Sequence, residues 1–344
     1  MRVALFVPAP FAAVSGGYIY DRAIVAGLRA RGHAVDVLEL DGTHPLADAT
    51  ALASARAAWA GLAAEAVPVI DGLCLPAFAP LADELSARHT VGLIHHPTAL
   101  ETGHDALTRT ALRDTERALL PRLARAIVTS PPTAKRLSED FGVAAPRITV
   151  VVPGTAPAPR SAGSGGPGCA ILSIGVIMPR KGHDVLVRAL ARLVDLDWTL
   201  TIAGAPRDPV HAHSLGTLVE QLGIAGRVTF AGEVVESALE TLWQHADVFA
   251  LATHYEGYGM AIAEALKRGL PVATTSGGAA GELVSADSGI VVAPGDEASL
   301  ARAMRRLIFD TALRADMADA AWRIGERLPD WPAQCDAFAA ALVA

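Results

Sequence analysis

A strand, a glycine-bearing loop and a helix occur in that order twice, from residue 3 and again from residue 170, and this repetition constrains the chain more than any other feature. Residues 3–7 form an uninterrupted apolar run stopped by Pro8, and a loop carrying Gly16-Gly17 then opens a helical stretch to about Arg31. Gly32-His33 ends that helix, and residues 34–40 read as the next strand. Strands apolar at every position belong in parallel sheets covered on both faces, so the opening is a β-α-β unit with its ligand edge at the glycine pair. After a stretch rich in Pro, Gly and Ser, residues 170–174 repeat the apolar run, 175–182 the glycine loop and 183–193 the helix. The fold class is therefore α/β, with two doubly wound Rossmann-like domains facing a cleft. The expected bounds are 1–155 for the first domain, 156–168 for a linker with no capacity to pack a core, 169–327 for the second domain and 328–344 for a closing helical segment.

The 344 residues suffice for two cores. A net charge of −7 gives no electrostatic footprint for nucleic acid. Cys74, Cys169 and Cys335 form no C-x-x-C pair, so neither a disulfide framework nor a zinc site is expected. The N-terminal apolar run is too short for a signal peptide, and no apolar stretch reaches spanning length, so the expectation is a cytoplasmic protein. Arg109, Arg113 and Arg117 form a basic ridge on a helix expected over 105–120, but Asp114 and Glu116 interrupt it, which allows at most weak peripheral membrane contact. His211 and His213 are expected in a polar loop and carry no metal reading; no metal and no cofactor is expected anywhere.

The chemistry concentrates between His254 and Gly269. Glu256 lies in a loop, Gly257 and Gly259 follow it, and a helix-forming run containing Glu264 ends at Gly269. Bare backbone at a helix start offers amides and a positive dipole end to an anion such as a diphosphate. The two carboxylates would repel that anion, so their partners are hydroxyls, and the combination describes a nucleotide sugar. Taken alone, the same pattern is also met in an ordinary loop leading into a helix. His95, in the loop after the strand at 90–94, falls where parallel sheets build their sites, although a histidine pair there can also serve local hydrogen bonding.

With these pieces placed, the chain resembles the retaining nucleotide-sugar glycosyltransferases of GT-B architecture, the family 4-like group that includes bacterial mannosyltransferases and sucrose-type synthases. The resemblance rests on Gly16-Gly17, His95, the run from Gly175 to Gly182, Gly204, the Phe230-Ala-Gly232 turn, the Glu256 to Glu264 element, and Gly277-Gly278 with Glu282. It implies a glycosyl transfer from a nucleoside diphosphate sugar to a small-molecule, saccharide or lipid acceptor, with retention and without metal, and a C-terminal helix crossing back to the first domain. It implies that Gly16 and Gly17 approach the diphosphate, that His95 touches the donor sugar, and that Lys181 and Arg180 offset the leaving group's charge. Glu256 would bind sugar hydroxyls and Glu264 the ribose. The amides of Gly257, Tyr258, Gly259 and Met260 would face sugar and phosphate, with Gly204, Gly232 and Val234 near the base. The chain departs from the family at Val176, where an arginine is usual, and Arg180 is the candidate substitute. The rivals are a sugar-nucleotide epimerase of the same architecture, a solute-binding protein closing on a sugar, and a protein that binds donor with weakened turnover. An epimerase would want further acid-base carboxylates, and no second cluster stands out beyond Glu101 and Glu282.

Overall fold

The computed structural model describes residues 1–101 and 103–343. They form two compact units, Met1–Gly154 together with the residues from Pro329 onward, and Thr155–Leu328. In the first unit the chain runs β1 (Arg2–Pro8), α1 (Gly16–Ala30), β2 (Ala34–Leu40), α2 (Ala49–Ala60), β3 (Ala66–Asp71), α3 (Ala82–Ala87), β4 (Val91–Ile94), α4 (Ala106–Leu119), β5 (Arg125–Val128), α5 (Pro131–Phe141) and β6 (Ile148–Val150). The second unit runs β7 (Cys169–Ile174), α6 (His183–Ala191), β8 (Trp198–Ala203), α7 (Pro209–Gln221), β9 (Val228–Gly232), α8 (Glu236–Gln244), β10 (Val248–Leu251), α9 (Met260–Lys267), β11 (Val272–Thr275), β12 (Gly289–Val292), α10 (Glu297–Phe309) and α11 (Thr311–Arg327). A last helix, α12 (Trp331–Ala341), returns to the first unit.

Each unit holds one six-stranded sheet, in the orders β2-β1-β3-β4-β5-β6 and β12-β11-β10-β7-β8-β9, with parallel pairing throughout. Parallel strands need helical crossovers on both faces, and the sequence answers with strands such as β4, β10 and β11 that are buried at every residue. In both orders the winding reverses at one place, between β1 and β3 in the first sheet and between β7 and β10 in the second. At such a reversal the helices leave to opposite faces, and the loops after the two strands diverge to open a crevice.

The first core is built around Phe6, whose ring meets Phe78 edge-on at 5.2 Å and Trp59 at 6.0 Å. In the second, Trp198, Leu200 and Ile202 of β8 pack under α6 and α10, and Trp243 with Phe249 lies on the opposite face. Aspartates at positions 48, 105, 208, 296, 310 and 330 cap six helices by accepting from the backbone N–H three residues on, which satisfies donors the first turn leaves unpaired.

α12 lies against α1 at close range: a Cβ at Gly27 would sit 2.1 Å from Cys335 Sγ. Tyr20 is sealed between Trp331 and Phe338 at ring separations of 5.8 and 6.5 Å and donates to the Val151 carbonyl at 3.0 Å. Two expectations are corrected. His211 and His213 lie in the first turns of α7, because the Asp208-Pro209 pair starts a helix there by capping and by a preset φ. Residues 161–164 do not hang free: the Ser161 hydroxyl donates to the Gln244 and Ala246 carbonyls, and Ser164 N–H to Asp247. Among the described residues, no helix is long and apolar enough to cross a membrane.

Candidate functional site

In the second unit the winding reversal brings together two loops 75 residues apart in sequence. The loop after β7 carries Arg180 and Lys181, and the loop after β10 carries Thr253 to Glu256. They are stitched together at backbone carbonyls: His254 N–H donates to the Arg180 carbonyl at 2.8 Å, the Thr253 hydroxyl to the same carbonyl at 3.0 Å, and Arg180 Nη1 to the Tyr255 carbonyl at 2.7 Å. Gly182 permits this approach, since its φ is +63° and a Cβ there would lie 2.0 Å from the Ala252 carbonyl oxygen. On the other side, Glu256 forms an isolated parallel bridge with Gly278, where a Cβ would come 2.2 Å from the Glu256 carbonyl oxygen.

The outcome is a buried charge cluster at the start of α9. Lys181 Nζ donates to Glu256 Oε1 at 2.6 Å, the Thr253 hydroxyl to the same oxygen at 3.0 Å, and Arg180 Nη1 stands 3.5 Å from it. The three charged side chains are only 10–14 % exposed. Burial pushes the Glu256 carboxyl up, but Lys181, Arg180 and the Thr253 hydroxyl outweigh it and hold the group below the usual glutamate value. Two cations thus face one carboxylate, and the surplus positive charge lies beside the amides that open α9, whose N-cap Gly259 takes φ +104°. Arg180, the residue expected to stand in for an arginine at Val176, reaches this cluster.

Tyr258 is buried, and Met260 is the first residue of α9. One turn on, Glu264 is pushed up to about 7 by burial, with Arg268 opposing. Gly257 lies in the turn between Glu256 and that helix. Gly204 and Gly232 follow β8 and β9 at the same sheet edge, and Gly204 N–H donates to the Gly232 carbonyl at 2.8 Å. A Cβ at Gly204 would come 2.0 Å from the Gly175 carbonyl oxygen, so three glycines close that edge by backbone contact. Val234 sits half-buried between β9 and α8. A separate groove of about 780 Å³, lined by Ser276, Ser285, Ile290, Arg306 and Met317 among others, runs by β12 and includes none of the charged trio.

The first unit places Gly16, Gly17 and His95 together. Gly16 opens α1, and a Cβ at Gly17 would touch the His95 ring at 3.3 Å. The His95 ring also meets two carboxylates that sequence reasoning passed over: Nε2 lies 3.0 Å from Asp21 Oδ1 and 3.6 Å from Asp71 Oδ2. Asp21 was legible as an acid on the buried stripe of α1, with Tyr20, Ile24, Val25 and Leu28, and Asp71 as an acid closing a buried strand. Sequence reasoning also missed Thr253, and His183, which is fully buried directly after Gly182.

Residues 161–323, nearly all of the second unit, match the family model of glycosyl transferases group 1. The second unit resembles a group 1 glycosyl transferase domain. The lipopolysaccharide core biosynthesis glycosyltransferase LpsE of Rhizobium meliloti is 32% identical over 150 residues, 43% of this chain and 42% of that protein. The D-inositol 3-phosphate glycosyltransferase of Acidothermus cellulolyticus is 31% identical over 203 residues, 54% of this chain and 45% of that protein. The chain thus spans less than half the length of these two curated relatives. Among solved structures, sucrose-phosphate synthase from Thermosynechococcus elongatus superposes with a TM-score of 0.84 at 20% identity, covering 98% of this chain and 97% of that one. Anabaena HepE in complex with UDP-glucose gives a TM-score of 0.77 at 18% identity, covering 100% and 99%. The architecture is that of the GT-B glycosyl transferases, with two Rossmann-like domains.

Proposed function

We propose that this chain moves a glycosyl group from a nucleoside diphosphate sugar to an acceptor, with retention of anomeric configuration and without a metal ion. The observation that carries the reading is the meeting of Arg180, Lys181 and Glu256 at the start of α9. A diphosphate is a dianion or more, and it finds there two cations and a helix N-terminus in a site poor in water, where such interactions are strongest. Lys181 and Arg180 would stabilise the departing diphosphate. Glu256, already ionised and accepting from Lys181 and Thr253, would exchange those donors for sugar hydroxyls, and Glu264 would take the ribose. Anabaena HepE, of the same fold, was solved with UDP-glucose, which makes a uridine nucleotide the first donor to try.

Incubation with UDP-, GDP- and ADP-glucose, each with and without candidate saccharide and lipid acceptors and with excess chelator, tests the proposal. Release of the free nucleoside diphosphate together with an α-configured product supports it. An isomerised donor with no free diphosphate would point to an epimerase. A product of inverted configuration, or activity abolished by the chelator, would overturn the retaining, metal-free reading.

A further inference from the structure

Three side chains of the first unit converge where its sheet reverses. Asp21 comes from α1, Asp71 closes β3, and His95 follows β4; Asp21 has no exposed surface and Asp71 has 2 %. Their donor atoms all lie within 4.8 Å of one another. Two ionised carboxylates buried this closely would repel each other without the solvation that normally offsets it, so the cluster must take up protons. The imidazole is the nearest base, with Nε2 3.0 Å from Asp21 Oδ1. The remaining excess falls on Asp71, which hydrogen-bonds the Asp21 side chain and is pushed up to about 7, first by burial and then by Asp21.

Among the described residues, the groups in contact with the ring supply no competing cation. Tyr20 meets the imidazole edge-on at 5.3 Å, Gly17 lies along its Cδ2 edge, and the Thr129 hydroxyl donates to the His95 carbonyl at 3.0 Å. Leu73 N–H donates to Asp71 Oδ1 at 2.6 Å. Tyr20 and Cys74, the other titratable groups at hand, are both held neutral by burial. Burial pulls His95 down, but Asp21 and Asp71 outweigh it and the net direction is up. With Nε2 committed to Asp21, Nδ1 is the nitrogen left, and the side chain keeps 18 % of its surface exposed.

We propose that Asp21 and Asp71 are positioning residues that fix His95 as a doubly protonated imidazolium, so that Nδ1–H is a permanent charged donor for an oxygen of the bound nucleotide sugar. The identity of that ligand rests on the glycosyl-transfer reading; the charge state does not. A neutral ring tethered through Nε2–H would offer Nδ1 only as an acceptor, useless to a phosphate and weaker toward a developing charge. A single carboxylate partner would leave burial free to neutralise the ring. The second carboxylate, where it is ionised, adds to Asp21 in favouring the imidazolium.

The full chain labelled with ¹⁵N-histidine, its His95 signal assigned by loss in His95→Gln, gives the test through long-range ¹H–¹⁵N spectra. Both ring nitrogens of wild-type His95 should carry protons at neutral pH, with a titration midpoint above the ordinary histidine value. Asp21→Asn should lower the midpoint, because burial then dominates, and Asp71→Asn should lower it by a smaller step. A neutral ring in the wild type, or a midpoint unmoved by both substitutions, overturns the proposal, as does selective broadening of His95 by stoichiometric Mn²⁺, which would make the carboxylates metal ligands. Near-UV circular dichroism confirms folding, and should Asp21→Asn fail to fold, the Asp71→Asn midpoint carries the test. With UDP-glucose as probe, Asp71→Asn should shift the alkaline limb of the kcat profile downward in pH while leaving KM within about twofold. If the spectra agree but none of the nucleotide sugars is turned over, the positioning inference stands and the glycosyl-transfer reading falls.

Discussion

Glu256→Gln separates the two tasks assigned to this carboxylate. At 2.6 Å the attraction between Glu256 and Lys181 is about 6 kcal/mol gross at an effective dielectric of about 20. Desolvating both groups offsets most of it, so the pair contributes little net stability. Removing one partner is different, because Lys181 and Arg180 then lose the buried carboxylate they share, which costs about 3–5 kcal/mol. The glutamine oxygen still accepts from Lys181 and Thr253, so the low end, about 3 kcal/mol, is expected, or a Tm lowered by about 6–12 °C for a unit of this size. The same stranded cations should bind a diphosphate better. Under thermal shift and calorimetry, UDP should bind Glu256→Gln about five- to tenfold more tightly than wild type, while any preference for UDP-glucose over UDP disappears. Because the folded carboxyl titrates below the ordinary value, its stabilisation is present above that value and is lost as pH falls through the folded one. The variant should therefore show a flatter acid limb. If UDP binds the variant no better than wild type, or if the two melt together, Lys181 and Arg180 are not waiting for an anion and the donor site is wrongly placed.

Two further substitutions probe the frame. Glu264 is raised to about 7 by burial, so its ionised form costs stability as pH rises through the ordinary value, and the cost is complete above about 7. Glu264→Gln should gain about 3 kcal/mol on wild type between pH 4.5 and pH 8 in urea unfolding, and should lose nucleotide affinity if the ribose is held there. Phe338→Ala removes a ring with 1 % exposure from between α12 and Tyr20, and should destabilise the first unit by about 3–5 kcal/mol while leaving the unfolding of the second unchanged.

The sequence announces its layers but hides its neighbours. Strands apolar at every position, glycines at their ends and aspartate caps are local signals, and they put β1, β7 and β10 within a residue or two of where they lie. Strand order is not local. Nothing between residues 182 and 252 says that β8 and β9 depart to one side while β10 returns to pair with β7, and that return alone brings Lys181 to Glu256. The same holds for Asp21 and Asp71, which reach His95 only because β3 sits beside β1 and β4 beside β3. Where a local signal was present and unread, as with Asp208-Pro209, the error stayed local and cost one helix start. The serines at 161 and 164 read as linker because composition records polarity and not the carbonyls a hydroxyl will meet.

His183 offers the sharpest test of whether the second unit carries strain for function. It is wholly buried at the head of α6, and among the described residues neither ring nitrogen has a hydrogen-bond partner. Burial, then Lys181 and His211, push it down to about 3, so the ring is neutral at any working pH. A lowered base destabilises the fold as pH drops below its ordinary value, and at pH 5 the penalty relative to pH 8 is about 2 kcal/mol. Two unsatisfied buried nitrogens add about 1–3 kcal/mol at every pH. Methionine fills a similar volume without polar nitrogens, so His183→Met should be more stable than wild type at pH 8 and further ahead at pH 5, as read by urea unfolding. A less stable variant with an unchanged acid limb would refute the account. Lys181 stands two residues away across Gly182, so the outcome with UDP matters as much as the melt. If the variant gains stability and loses nucleotide affinity, the imidazole is kept at a cost because the ligand uses it; if it gains both, the cost is incidental and α6 tolerates it only because the surrounding core is strong enough.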